Sequence, residues 1–280
     1  MPEKSMQEQN EELKQEKKGA YRELMKLAQT GFQLVRPVFV VSGWCDESCS
    51  NWVEPYALQL PLKAWTSKIV KNNKLVYYIT FTDTESKSCK SFIDFGSILK
   101  KRIEDAIGKS NKFDIIGYSM GGLDIRAAIS IHGLKNAINC ITVATPHKGA
   151  MLAEIGNLLN VKYPLHYKIQ CNALARRSDE INELNSFVNR KKFLESIQKL
   201  FQFCGTYDKA VQMKESRVES RDLGQDLHSK TMQVVFKKVA HNEKIGVTRD
   251  VRVVLALLHI LVGIEPKNPS RNYGYLCKKT

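Results

Sequence analysis

A serine with a glycine two positions to either side, Gly117-Tyr118-Ser119-Met120-Gly121, is the first place in this chain where chemistry can be sought. Phe113, Ile115 and Ile116 before it read as a short buried strand, and a helical pattern through Leu123, Ala127 and Ile131 follows, ended by Gly133. G-x-S-x-G at a strand-to-helix junction is the nucleophile-elbow pattern. The backbone turns so sharply at the serine that its neighbours two positions away have no room for side chains, which suits glycine. The turn lifts the Ser119 hydroxyl above the sheet edge at a helix N-terminus, where developing negative charge is favoured. The plain alternative is a glycine-rich turn with an incidental serine. The strand before it, the helix after it and a second glycine, Gly122, weigh against that.

A hydroxyl is a poor nucleophile at neutral pH and needs a base to take its proton. Imidazole titrates in the right range, and a carboxylate can fix its tautomer and stabilise its cation. His241 and Asp208 are the candidates for these roles. His147, His228 and His166 are rival bases, and Asp222, Asp226 and Asp124 rival acids. The choice depends on where the elements place them.

Six apolar runs beginning near residues 37, 75, 112, 138, 200 and 232 read as strands joined mostly by helices. That rhythm predicts an α/β fold with a doubly wound, mostly parallel sheet of about six strands flanked by helices. In such a sheet, ligands bind beyond the carboxyl ends of the strands. Ser42-Gly43, Ser119, Asp208 and Ala240-His241 all fall at such ends. Asp208 follows its strand directly, which its rivals do not. Residues 150–199 break the rhythm with a mainly helical pattern, and a long insertion in an α/β scaffold is usually functional. Leu152, Ile155, Leu158, Leu159 and Val161 give it an apolar face at helix period.

The block GYSMGGLDIR resembles the serine block of the α/β-hydrolase superfamily, in its lipase and esterase branch. The resemblance spans roughly residues 36–263 and implies an acyl-enzyme mechanism with Ser119, Asp208 and His241 as the triad, in that family's chain order. Asp208-Lys-Ala-Val211 resembles the D-x-x-V turn that carries the acid. Thr145-Pro146-His147-Lys148-Gly149 resembles a turn that precedes the lid, which makes His147 structural or cleft-lining and residues 150–199 a cap. The family's first strand ends in His-Gly, and the residue after that glycine donates to the oxyanion. Here Ser42 stands in place of the histidine and Gly43 is kept. The implied oxyanion hole is the backbone N–H of Trp44 and of Met120.

The remaining composition bounds the reading. The chain has 280 residues, is 43% hydrophobic and carries a net charge of +14. No nucleic-acid motif accompanies the charge. The basic residues Arg176, Arg177, Arg190, Lys191 and Lys192 instead suggest that the cap meets an anionic membrane peripherally. The seven cysteines are irregularly spaced, and Cys45-x-x-x-Cys49 lacks a second ligand pair, so neither metal nor cofactor is expected. The first eighteen residues contain no apolar signal segment, and Val253 to Ile264 is too short to span a bilayer. A cytoplasmic, peripherally membrane-associated location is expected. Residues 1–30 read as a charged N-terminal helix, frayed before about residue 19. Residues 31–264 are the hydrolase domain, and residues 265–280 a basic tail. The resulting expectation is a serine hydrolase of carboxylic esters, with lipid acyl esters as substrate. An acyltransferase of the same fold, or a non-catalytic hydrolase-fold protein binding a partner or an anionic membrane, is the alternative.

Overall fold

The computed structural model describes residues 5–43, 59–151, 165–241, 246, 249–264 and 275–279. Its centre is a sheet in the order β2-β1-β3-β4-β5-β6-β7. The strands are β1 (Val38–Val41), β2 (Val76–Ile79), β3 (Phe113–Tyr118), β4 (Ala137–Val143), β5 (Ile197–Gly205), β6 (Thr231–Phe236) and β7 (Tyr275–Lys279). The first six pair in parallel, as the alternation of strand and helix predicts. Strands β1 and β3 are buried along their whole length, which is why they read as near-continuous apolar runs.

Side-chain alternation along each strand feeds two cores. Val38, Val40, Ile116, Ile141, Phe203 and Val234 face one layer, with helices α1 (Met6–Thr30) and α2 (Gln59–Ile69). Phe39, Val41, Ile115, Cys140 and Leu200 face the other, with α4 (Phe92–Ile107) and α5 (Gly121–Ser130). A third helix of the first layer, Val251–Leu261, is apolar except for Arg252 and His259 and is buried from Arg252 onward. No helix among the described residues is long and apolar enough to cross a membrane.

Three features depart from the sequence reading. Helix α1 starts at Met6 and does not fray before residue 19. A capping box between Ser5 and Glu8 satisfies its first N–H groups, and Ala20, Leu24 and Leu27 dock in the core while Tyr21 stays 53% exposed. Second, the C-terminal tail contains a strand. β7 pairs antiparallel with β6, from Met232↔Lys279 to Phe236↔Tyr275. Third, the described helices within residues 150–199 divide between two places. Helix α3 (Asp83–Ser88) and the pair α6 (Leu165–Ala173) and α7 (Asp179–Asn185) form a layer over α4 and α5, where Ala173, Leu174, Ile181 and Leu184 join Met120 and Leu123 in a third apolar cluster. Helix α8 (Phe187–Glu195) is instead the crossover into β5, packed on the sheet through Phe193 and Leu194. Residues 152–164, which hold the proposed apolar cap face, lie outside the described residues. A short helix, α9 (Gln225–Ser229), precedes β6, and the buried helix Val251–Leu261 is α10.

Candidate active site

The site lies where the carboxyl ends of β1, β3, β5 and β6 meet, and the turn after β3 is built on close backbone approach. Ser119 has φ of 51°, a left-handed backbone for a residue with a side chain. The neighbouring glycines are required by space. A Cβ on Gly117 would lie 2.6 Å from the amide of Gly122, and one on Gly121 would lie 2.3 Å from the Ser42 carbonyl. Gly43 brings the end of β1 against the elbow, where a Cβ would stand 3.1 Å from that of Ser119. The turn is tied to β4 by the Ser119 amide, which donates to the Val143 carbonyl at 2.9 Å.

Asp208 and His241 come from neighbouring strand ends that are laced together. The Thr206 amide donates to Phe236 O at 3.0 Å, and the Tyr207 amide to Val239 O at 3.0 Å. This register brings His241 Nδ1 to 2.8 Å from Asp208 Oδ2, and His241 Nε2 to 3.3 Å from Ser119 Oγ. The other carboxylate oxygen, Oδ1, accepts from the Val211 amide at 2.7 Å, so the D-x-x-V turn closes on its own acid. A carboxylate can only accept, so Nδ1 carries the imidazole proton and Nε2 is left to accept from the serine hydroxyl. The Asp208 side chain is wholly buried and that of His241 is 11% exposed, which shields the pair from water while leaving the imidazole reachable.

Tyr118, an unspecified position of the elbow motif, supports this arrangement. Its hydroxyl donates to the His241 carbonyl at 3.2 Å, and its ring centroid lies 5.3 Å from the imidazole's. Strand alternation puts Tyr118 on the face that β6 shares, the one sequence signal that could have found it.

The rivals are placed elsewhere. His147 is fully buried; its Nδ1 faces Arg126 Nη1 at 3.4 Å and its Nε2 faces Thr142 Oγ1 at 3.0 Å. The guanidinium can only donate, so the basic nitrogen of His147 is already occupied. Burial and the Arg126 charge hold its pKa well below the usual histidine value. His228 pairs with Ser220 Oγ at 3.0 Å, and His166 lies on α6. Asp222 forms a two-point ion pair with Arg190, Asp226 lies on α9, and Asp124 is sealed inside α5. Met120 caps the N-terminus of α5 beside Ser119. Trp44, the other proposed oxyanion donor, and Cys45 and Cys49 lie outside the described residues.

Solved structures share this architecture. Phospholipase PlaB from Legionella pneumophila, in complex with thio-NAD, superposes with a TM-score of 0.57 at 16% identity, over 81% of this chain and 57% of that one. The mature lipase BlEst2 from Bacillus licheniformis superposes with a TM-score of 0.53 at 17% identity, over 81% and 92%. The esterase RhEst1 from Rhodococcus sp. ECU1013 gives 0.51 at 14% identity, over 84% and 92%. The chain thus spans little more than half of the phospholipase, and at these identities the likeness speaks for the fold alone. No curated protein matches the chain. The profile of the family described as palmitoyl protein thioesterase matches residues 37–215, from the first strand through the Asp208 turn. The chain therefore belongs to the palmitoyl protein thioesterase family, within the α/β-hydrolase superfamily.

Proposed function

We propose that this protein is a serine hydrolase that removes lipid acyl groups from esters or thioesters through an acyl-enzyme on Ser119. The observation that carries the reading is the continuous chain from Ser119 Oγ through His241 to Asp208, at 3.3 and 2.8 Å. His241 Nε2 takes the serine proton as Oγ attacks the acyl carbonyl. The resulting imidazolium is stabilised by Asp208 and then protonates the departing alcohol; a thiolate leaves more readily. Water, deprotonated by the same imidazole, attacks the acyl-enzyme and releases the acid. The Met120 amide, at the N-cap of α5, is the proposed oxyanion donor on the described side, with Trp44 as its partner. The family name favours a long-chain thioester over the oxyester expected from sequence.

The test is labelling with a fluorophosphonate, which requires an activated serine, followed by matched palmitoyl thioester and oxyester substrates. Labelling that is lost in Ser119→Ala, with preference for the thioester, is the expected result. A wild-type protein that neither labels nor turns over acyl esters would overturn the reading.

Peripheral contact with an anionic membrane is part of the same proposal, on a narrower basis than sequence suggested. Arg176 is paired with the buried Glu215 and Arg190 with Asp222, so neither is a free surface charge. Arg177, Lys191 and Lys192 are exposed, Lys191 at 3.8 Å from the equally exposed Glu195 in a pair open to solvent, and Phe187 and Val188 on the first turn of α8 are 53% and 57% exposed. Each basic residue near an anionic surface contributes about 1 kcal/mol, an attraction that fades with salt. Co-sedimentation with anionic liposomes at low ionic strength, lost in Lys191→Glu/Lys192→Glu, is expected. Equal binding to neutral and anionic lipid would remove this contact from the proposal.

A further inference from the structure

The loop that carries His241 is held from behind by a buried ionic cluster that the chemistry does not use. Arg252, at the start of α10, is wholly buried. Its Nε and Nη2 donate to Asp250 Oδ1 and Oδ2, each at 2.9 Å, and its Nη1 donates to Glu16 Oε2 of α1 at 3.0 Å. Nη2 also donates to the Lys237 carbonyl at 2.9 Å, the first residue past β6 on the way to His241. Lys17 of α1 reaches Asp250 Oδ2 at 3.1 Å. One residue further along the loop, Lys238 has φ of 54°, donates its amide to Thr206 Oγ1 at 2.8 Å and its ammonium to Asn10 Oδ1 of α1 at 2.7 Å. Thr206 belongs to the turn that carries Asp208.

We propose that Arg252, with α1 as its anchor, is a positioning residue that keeps the Asp208 and His241 loops in register. It acts through Lys237 and Lys238 and touches no reacting atom. The inference rests on the catalytic reading above. A buried guanidinium is an apt choice, because its planar fork donates four hydrogen bonds here, to both oxygens of Asp250, to Glu16 and to the Lys237 carbonyl, and an ammonium has only three N–H groups and no fixed fork. The electrostatics agree with the geometry. Burial works to raise the Asp250 carboxyl, and Arg252 first, with the Lys17 charge, outweighs it and holds the group below its usual range. At Glu16 burial prevails over the same guanidinium, and the carboxyl is raised. The brace adds to the backbone bonds of Thr206 and Tyr207, which tie the two strand ends at Phe236 and Val239 and so act two or more residues before the imidazole. A misplacement of about 1 Å costs on the order of 10²-fold in rate.

The experiment compares wild type, Arg252→Gln, Arg252→Lys, Lys238→Ala and Asn10→Ala by three readouts. These are turnover of a p-nitrophenyl ester per fluorophosphonate-labelled serine, KM, and the downfield imidazole N–H resonance of His241, assigned by its absence in His241→Ala. The expected result for Arg252→Gln is a fall of roughly 10- to 100-fold in kcat per labelled serine with KM little changed, and a broadened imidazole resonance. Arg252→Lys should recover only part of it. Lys238→Ala and Asn10→Ala should each lose a smaller factor, and their double variant no more than the worse single. A merely structural role would lower the labelled fraction and the Tm, while the surviving molecules kept wild-type kcat and a sharp resonance; that result overturns the proposal. Should Arg252→Gln fail to fold, the exposed pair at positions 10 and 238 decides by the same readouts. Should wild type show neither labelling nor turnover, the catalytic reading falls, and the imidazole resonance alone still decides the brace.

Discussion

Ser119 holds a left-handed backbone that costs a non-glycine residue on the order of 1–3 kcal/mol, and such strain persists only where the surroundings over-determine it. Here the surroundings are the 2.9 Å bond to Val143 and the glycine contacts with Ser42 and Gly122. They hold the backbone whether or not position 119 carries a hydroxyl. Ser119→Ala should therefore fold normally and lose on the order of 10⁴-fold or more in hydrolysis, measured as kcat on an activated ester. Asp208→Asn should lose about as much. Its amide keeps the Val211 bond but can present a donor to Nδ1, which selects the wrong imidazole tautomer. His147 gives the contrasting result. It is fixed between Arg126 and Thr142 and held neutral, so His147→Gln should lower Tm while leaving kcat within about tenfold, whereas His241→Gln should abolish turnover with Tm nearly unchanged. The reverse ranking would exchange the two assignments.

At the scale of elements, the turn after β3 depends on backbone approach more than on side-chain attraction. A methyl at position 121 would meet the Ser42 carbonyl at 2.3 Å, and neither partner is a flexible side-chain end that can swing aside. Gly121→Ala should therefore separate β1 from the elbow, reduce fluorophosphonate labelling and destabilise the fold by several kcal/mol, in the range of severe overpacking. Wild-type labelling in that variant would show that the β1 end does not set the site. Elements whose own pattern carries their burial were legible: β1, β3 and β4 as apolar runs, and α4 from its stripe between Ser91 and Gly108. The Ser119, Asp208 and His241 loops were legible because they follow such strands. What the sequence hid has partners far along the chain. The first half of α1 looks frayed because it is densely charged with both signs, and the burial of Glu16 within it is matched by Arg252, 236 positions away. β7 is held by backbone bonds to β6 and needs no apolar run of its own, so the basic tail gave no sign of it. Tyr118 was hidden because a motif's variable position carries no signal until its face of the sheet is known.

For the molecule as a whole, pH acts through a few groups sealed inside it. His147 and His259 are both held below the usual histidine value, by burial first. They stay neutral in the fold while the unfolded chain takes up protons below about pH 6.5, so their contribution is present above that pH and is lost as pH falls. Asp124 works in the opposite direction. It lies in the first turn of α5, is 0% exposed, and neither carboxylate oxygen has a hydrogen-bond partner among the described residues. Burial raises its pKa well above the ordinary 3.8. A raised carboxyl favours the folded state fully below the unfolded value, and that advantage is lost as pH rises toward the folded value. Asp124→Asn removes the titration and nearly preserves the shape. The Tm difference between variant and wild type should therefore become steadily more favourable to the variant from pH 5 to pH 8, while the two histidines, common to both proteins, cancel. Each kcal/mol corresponds to roughly 2–4 °C for a chain approaching this size. Thermal unfolding of both proteins at pH 5, 6.5 and 8 measures the trend. A difference independent of pH would mean that Asp124 titrates alike in the folded and unfolded chains and that its carboxylate finds a partner or water in solution.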